Sequence, residues 1–168
     1  EPDILVIGKA LGGGILPIAA VLAKSELDVA GEFAFGHYTH EKNPVTAKAA
    51  LTTIEIIEQE GLVENAAALG EYALERLNLL KAEHSTIGDV RGRGLLIGVE
   101  LVLNKEDKTP ANDLAEEVLY RCLSNGLSFK LTMGNVLTLT PPLIITKTQI
   151  DLSLKIISDS LKEAEQDF

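Results

Sequence analysis

Residues 4–7 read Ile-Leu-Val-Ile, an unbroken aliphatic run that stops at Gly8 and is followed at once by Lys9. Such a run, bounded by glycine, reads as a short strand buried on both faces. Gly12, Gly13, Gly14 and Pro17 then force a tight, irregular turn. The strand, turn and lysine place an amine where open α/β sheets carry their chemistry, beyond the carboxyl end of a buried strand. Partial desolvation there makes the neutral amine easier to reach. A neutral amine attacks a carbonyl to give a Schiff base. Taken alone, the motif reads more readily as a solvated lysine opening a loop, because short motifs recur by chance. The glycines exclude two other chemistries. A phosphate loop places its lysine after the glycines and follows it with Ser or Thr, whereas Lys9 precedes them. The spacing G-x-G-x-x-G of a dinucleotide site is absent as well.

The 168 residues suffice for one large domain or two small ones, and 46% hydrophobic residues suffice for a core. A formal charge of −10, 4% aromatics and no Trp oppose nucleic-acid binding, which needs a basic face and stacking rings. The single Cys122 excludes an internal disulfide and a multi-cysteine metal site. No apolar run approaches the length of a membrane span and no signal-peptide pattern is visible, so a soluble, cytoplasmic protein is expected.

Along the chain, residues 18–23 are small and apolar, as in a second strand of the same sheet, and Ser25 can cap a short turn. Residues 31–36 read as loop. Asn43-Pro44 opens a mostly buried helix over 45–59, with Asn43 as cap, and Gly61 ends it. Leu62, Ala66, Leu69, Ala73, Leu77 and Leu80 define a second helix over 62–81. Residues 84–89 read as a turn region and 91–101 as an extended segment running into a strand. Arg91 and Arg93 in that segment either bind an anion or divide into one paired and one solvated arginine. A polar loop over 104–112 precedes an amphipathic helix over 113–124, closed by Asn125-Gly126. Strands follow at 127–131 and 135–140, the second stopped by Pro141-Pro142. A last helix opens at 146–149 and runs to about 164, with Ile150, Leu154, Ile157 and Leu161 inward. His37 and His40, with Glu41, suggest metal ligands, but no fourth ligand stands at a recognisable spacing, and no metal is expected.

The string PDILVIGKALGGGILPIAAVLA closely resembles the active-site segment of class III pyridoxal-phosphate (PLP) aminotransferases, the family of ornithine and 4-aminobutyrate aminotransferases. VRGRGLLIGVEL and NVLTLTPPL are similar to two further blocks of that family, "VRGxGLLxGVEL" and "NVLRLxPPL". The resemblance implies an α/β protein of PLP fold type I. The end of the large domain would cover 1–60, a helical linker 61–89, and a small carboxyl-terminal α/β domain 90–168. Complete members are more than twice this long, so a carboxyl-terminal part, inactive alone, is expected. Lys9 occupies the position that holds PLP as a Schiff base. Thr39, five residues before Pro44, matches a threonine that donates to the PLP phosphate of the neighbouring subunit, which implies a homodimer. A dianionic phosphate does need hydroxyl donors, although Thr39 also reads as an ordinary loop residue.

Thr138 stands where many members carry an arginine that grips the substrate α-carboxylate. Threonine supplies neither the charge nor the planar fork. The leading reading is an aminotransferase that moves an amino group from an amine or amino acid to a 2-keto acid. Lys9, once displaced, would act as the general base at the substrate Cα. The alternative, favoured by Thr138, is a PLP-dependent ammonia- or phospho-lyase. Simple amines, ω-amino compounds and substrates bearing phosphate or phosphonate remain open.

Overall fold

A computed structural model describes residues 1–33, 36 and 38–167. His37 and residues 34–35 of the expected loop lie outside them. The chain divides into two compact units, Glu1–Gly61 and Leu62–Phe168.

In the first unit, β1 (Ile4–Ile7) pairs antiparallel with β2 (Ala20–Ala23), Ile4 opposite Ala23 and Ile7 opposite Ala20. The ladder continues one step further, where the Lys24 N–H donates to the Asp3 carbonyl. The expected burial of β1 on both faces is not observed: Ile4 is 56% and Val6 70% exposed. Among the described residues β1 has β2 as its single strand neighbour, so its aliphatic side chains find no cover in this chain. Ser25 lies inside a short 3-10 turn, Ser25–Leu27, and makes no capping hydrogen bond.

Helix α1 (Pro44–Gln59) starts as expected. Asn43 Oδ1 accepts a hydrogen bond from the Val45 N–H at 2.9 Å, with Pro44 in the first turn. Gly61, in the left-handed region at φ 60°, follows its end. The expectation of a mostly buried helix is corrected: of its residues only Ala50 is fully buried, and Val45, Leu51, Ile54 and Ile56 are exposed.

The second unit comprises α2 (Leu62–Glu83), β3 (Ile87–Arg93), β4 (Leu96–Leu101), α3 (Asn112–Ser124), β5 (Lys130–Thr132), β6 (Val136–Leu139) and α4 (Lys147–Ala164). The sheet is antiparallel throughout, in the order β3-β4-β6-β5. Helix α2, read from the sequence as a linker, lies within this unit and buries Leu62, Gly70, Ala73 and Leu77. Residues 91–101 are not one extended segment: β3 and β4 form a hairpin that reverses at Gly94, φ 52°. Helix α2 presses on that reversal. A methyl group placed on Gly70 would come within 2.3 Å of the Gly94 carbonyl oxygen, so the approach requires glycine.

Ile97, Val99, Leu101 and Leu137 point from the sheet into a core shared with Leu77, Leu114, Val118, Ile157 and Leu161 of the helices. Each such side chain contributes about 1.5–3 kcal/mol through removal from water. Helix α4 opens on a capping box. Thr146 Oγ1 accepts from the Gln149 N–H, and the Gln149 side chain accepts from the Thr146 N–H. At its far end, Glu165 accepts from His84 Nδ1 at 2.8 Å and from the Thr86 hydroxyl. His84 is 2% exposed, so this contact ties α4 to the turn before β3 in a nearly dry setting. Among the described residues no helix is long and apolar enough to cross a membrane.

Candidate active site

Lys9 begins a 3-10 turn, Lys9–Gly12, directly after β1. Its backbone lies in the left-handed region at φ 52°, a conformation that costs a residue with a Cβ about 1–2 kcal/mol. Such strain persists where the surroundings over-determine it, and it concentrates at functional sites. Here the turn is pinned by the Leu11 N–H donating to Gly8 and the Gly13 N–H donating to Ala10. It packs against α1, where a methyl group on Gly13 would reach within 3.2 Å of Thr53 Oγ1. Gly13 and Gly14, at φ 73° and 75°, carry the chain out of the turn. The Lys9 side chain is exposed, and no carboxylate pairs with it among the described residues. The desolvation expected for it is not provided by this chain.

Thr39 is exposed in the turn that leads into α1, where the Glu41 N–H donates to Tyr38 and the Asn43 N–H donates to His40. The structure therefore places Lys9 and Thr39 on separate loops of the first unit, one after β1 and one before α1. Among the described residues no group of three or more His, Cys, Asp or Glu is arranged to hold a metal ion.

In the second unit, Thr138 lies on β6 with its partners Gly98 on β4 and Lys130 on β5. Gly98 in turn pairs with Arg91 on β3. Residues directly opposite on antiparallel strands share a face, so Arg91, Gly98, Thr138 and Lys130 form one row across the sheet. Ile97, Val99 and Leu137, of opposite parity, occupy the helix-covered face; the row lies on the open one. The Thr138 hydroxyl is 2.7 Å from that of Thr132.

Arg91 does not await a ligand. Its guanidinium donates to Asp89 at 2.8 Å and Glu100 at 2.6 Å. Those hydrogen bonds raise its pKa, and the reciprocal hydrogen bond holds the Asp89 carboxyl below its usual range. Arg93 is exposed and has no carboxylate partner among the described residues. The division into one paired and one solvated arginine is the one found. Lys130 and Thr132 were not singled out from sequence. The available signal was the two-residue alternation Lys130-Leu131-Thr132, which places both polar residues on one face.

By residue type, the exposed amine at Lys9 suits a cofactor aldehyde, and the exposed hydroxyl at Thr39, on its separate loop, suits an anionic phosphate. The α/β fold is that of PLP-dependent enzymes of fold type I. A Bacillus anthracis aminotransferase superimposes with a TM-score of 0.88 at 35% identity, over 96% of this chain and 39% of its own. Residues 1–161 match the family described as Aminotransferase class-III, and the chain belongs to that family of PLP-dependent enzymes. An (R)-1-hydroxy-2-aminoethylphosphonate ammonia-lyase of Vibrio splendidus is 49% identical over all of this chain and 35% of its own length. A leucine/methionine racemase of Thermococcus litoralis is 42% identical over 99% of this chain and 37% of its own. The chain thus spans about a third of the length of these relatives.

Proposed function

We propose that the full-length protein is a PLP-dependent enzyme that acts on a small amino compound, and that it eliminates ammonia rather than transferring it. The observation that carries this reading is Thr138. Where the family's arginine would grip a carboxylate with two parallel hydrogen bonds, this chain presents a hydroxyl held by a second hydroxyl, Thr132. That change removes the recognition an amino-acid donor and a keto-acid acceptor share, and an elimination needs no acceptor. The 49% identical relative supports the same reading, since its name is that of an ammonia-lyase of an aminophosphonate. The aminotransferase reading keeps the support of the family and of the solved B. anthracis neighbour.

Bound PLP supplies an electron sink for the carbon that bears the amine. Lys9 Nζ is the proposed covalent anchor for the cofactor aldehyde and, once released, the base that removes the proton from that carbon. The electron pair then expels a leaving group such as a hydroxyl from the neighbouring carbon, and water displaces the nitrogen of the resulting enamine, so that ammonia leaves without a keto acid. Thr39 is the proposed hydroxyl donor to the cofactor phosphate. Its action across a subunit interface would make the enzyme a homodimer.

The test is an absorbance spectrum of the full-length protein with PLP, before and after borohydride, beside Lys9→Ala. A visible band that borohydride fixes, and that Lys9→Ala lacks, supports the cofactor assignment; its absence from the intact protein overturns it. Ammonia release from candidate amines without keto acid supports elimination, whereas strict dependence on pyruvate or 2-oxoglutarate supports transfer.

A further inference from the structure

We propose that Lys130, together with the paired hydroxyls of Thr132 and Thr138, forms a binding site for a tetrahedral oxyanion group, a phosphonate or phosphate monoester, carried by the amino substrate. Lys130 and Thr138 are directly opposite on β5 and β6, which sets their Cβ atoms about 5 Å apart on one face. Thr132 lies two residues beyond Lys130 on the same strand and therefore on the same face. Its hydroxyl meets that of Thr138 at 2.7 Å. Of the two hydroxyl protons, one is used between the threonines and one is left to donate outward. An ammonium adds three donors and a full charge. On the far side of Thr138 the strand partner is Gly98, which has no side chain to fill the row; a methyl group there would already crowd Val136 at 3.2 Å.

The charges on this face are divided. Asp89 and Glu100 are bound to Arg91 at the β3 end of the row. Lys130, at the β5 end, has no carboxylate within 4.0 Å among the described residues. Of the two cations in the row through Thr138, Lys130 is therefore the unpaired one among the described residues. A point charge beside hydroxyl donors suits a compact dianion with three equivalent oxygens better than a planar carboxylate, which gains most from a guanidinium fork.

This inference rests on the proposed reading that position 138 faces the substrate. A lysine that only guards an edge strand against pairing would be indifferent to the ligand's anionic group, which the comparison below reads out.

The experiment uses full-length protein, with binding followed by thermal shift in the absence of PLP and by spectral titration in its presence. The probes are 2-aminoethylphosphonate and its carboxylate counterpart β-alanine, compared for wild type, Lys130→Met, Lys130→Arg and Thr138→Arg. Wild type is expected to prefer the phosphonate by about 10-fold or more, the value of one charge-assisted contact. Lys130→Met is expected to lose that preference, Lys130→Arg to keep part of it, and Thr138→Arg to shift it toward β-alanine. An unchanged preference in Lys130→Met, or no preference in wild type, overturns the site. Circular dichroism of each variant separates lost binding from lost folding, and Thr138→Arg tests the face if Lys130→Met does not fold. The thermal-shift arm does not depend on turnover, so failure of the elimination reading would show instead in the ammonia assay.

Discussion

A lysine whose backbone sits at φ 52° is a residue placed for something other than stability. Glycine would adopt that conformation without the Cβ penalty, and alanine would not. Lys9→Gly in the full-length protein is therefore expected to leave the cofactor-free form as stable as wild type or about 1 kcal/mol more so, while Lys9→Ala gains nothing. Both are expected to lose covalent attachment of PLP. Parallel melting curves without cofactor check the ordering, and a less stable Lys9→Gly would show that the turn is unstrained. At the other extreme is Cys122, which is fully buried. Burial pushes its thiol above the usual range, and the neighbouring Ser160 hydroxyl offsets this only in part. The thiol is expected to resist a colorimetric disulfide reagent until denaturant is added. Prompt labelling in buffer would contradict the packing of α3 on α4. The strand and turn around Lys9 were legible in the sequence, because an aliphatic run that stops at glycine and meets three more glycines marks an end and a reversal. The role proposed for Lys9 came from the family resemblance. Lys130 and Thr132 were not legible, because their meaning depends on which strand lies beside β5.

Among the elements, the helices were read best, for they carry their own punctuation. Asn43-Pro44 starts α1, Asn125-Gly126 follows α3, and Thr146 with Gln149 opens α4. Thr146→Ala removes one side of that capping box and is expected to cost about 1 kcal/mol in denaturant unfolding of the second unit. An unchanged midpoint would mean the box is redundant. The hairpin of β3 and β4 was missed because extended, glycine-rich character continues through its reversal. Only Gly94 marks the turn, and a single glycine is also common inside strands beside a close neighbour. That neighbour exists too: Gly70 of α2. Gly70→Ala is expected to destabilise the unit by about 3 kcal/mol, the upper range for overpacking, because the obstacle is backbone and cannot rotate away. A loss below about 1 kcal/mol would show that α2 shifts to admit the methyl group. Strand β5 begins at Lys130, three residues later than read from the sequence, since Leu127, Ser128 and Phe129 have no ladder partner.

At the scale of the molecule, the second unit carries an acid-sensitive ion pair and the first an exposed aliphatic surface. In the second, Asp89 is held below its usual range first by the hydrogen bond from Arg91, with Lys81 and the Arg91 charge adding to it. Its contribution is complete above the ordinary aspartate value of about 3.9 and is lost as pH falls through the lower folded value. Asp89→Asn is accordingly expected to weaken the fold at neutral pH and to match wild type near pH 2. A constant difference at all pH would locate its role elsewhere. The first unit leaves Ile4, Leu5, Val6, Val21 and Leu22 to solvent, in a chain that spans about a third of its relatives' length. The open sheet face of the second unit has a different consequence. Its stability resides in the helix-covered side, where Val99, Leu137 and Ile157 admit little change, while substitutions on the open side generally cost within about 0.5 kcal/mol. Within the row, Thr138 and Lys130 can therefore be exchanged at little cost to folding, whereas Arg91, bound to Asp89 and Glu100, and Gly98, packed on Val136, cannot. A lineage built this way can exchange one substrate preference for another while its scaffold stays the same.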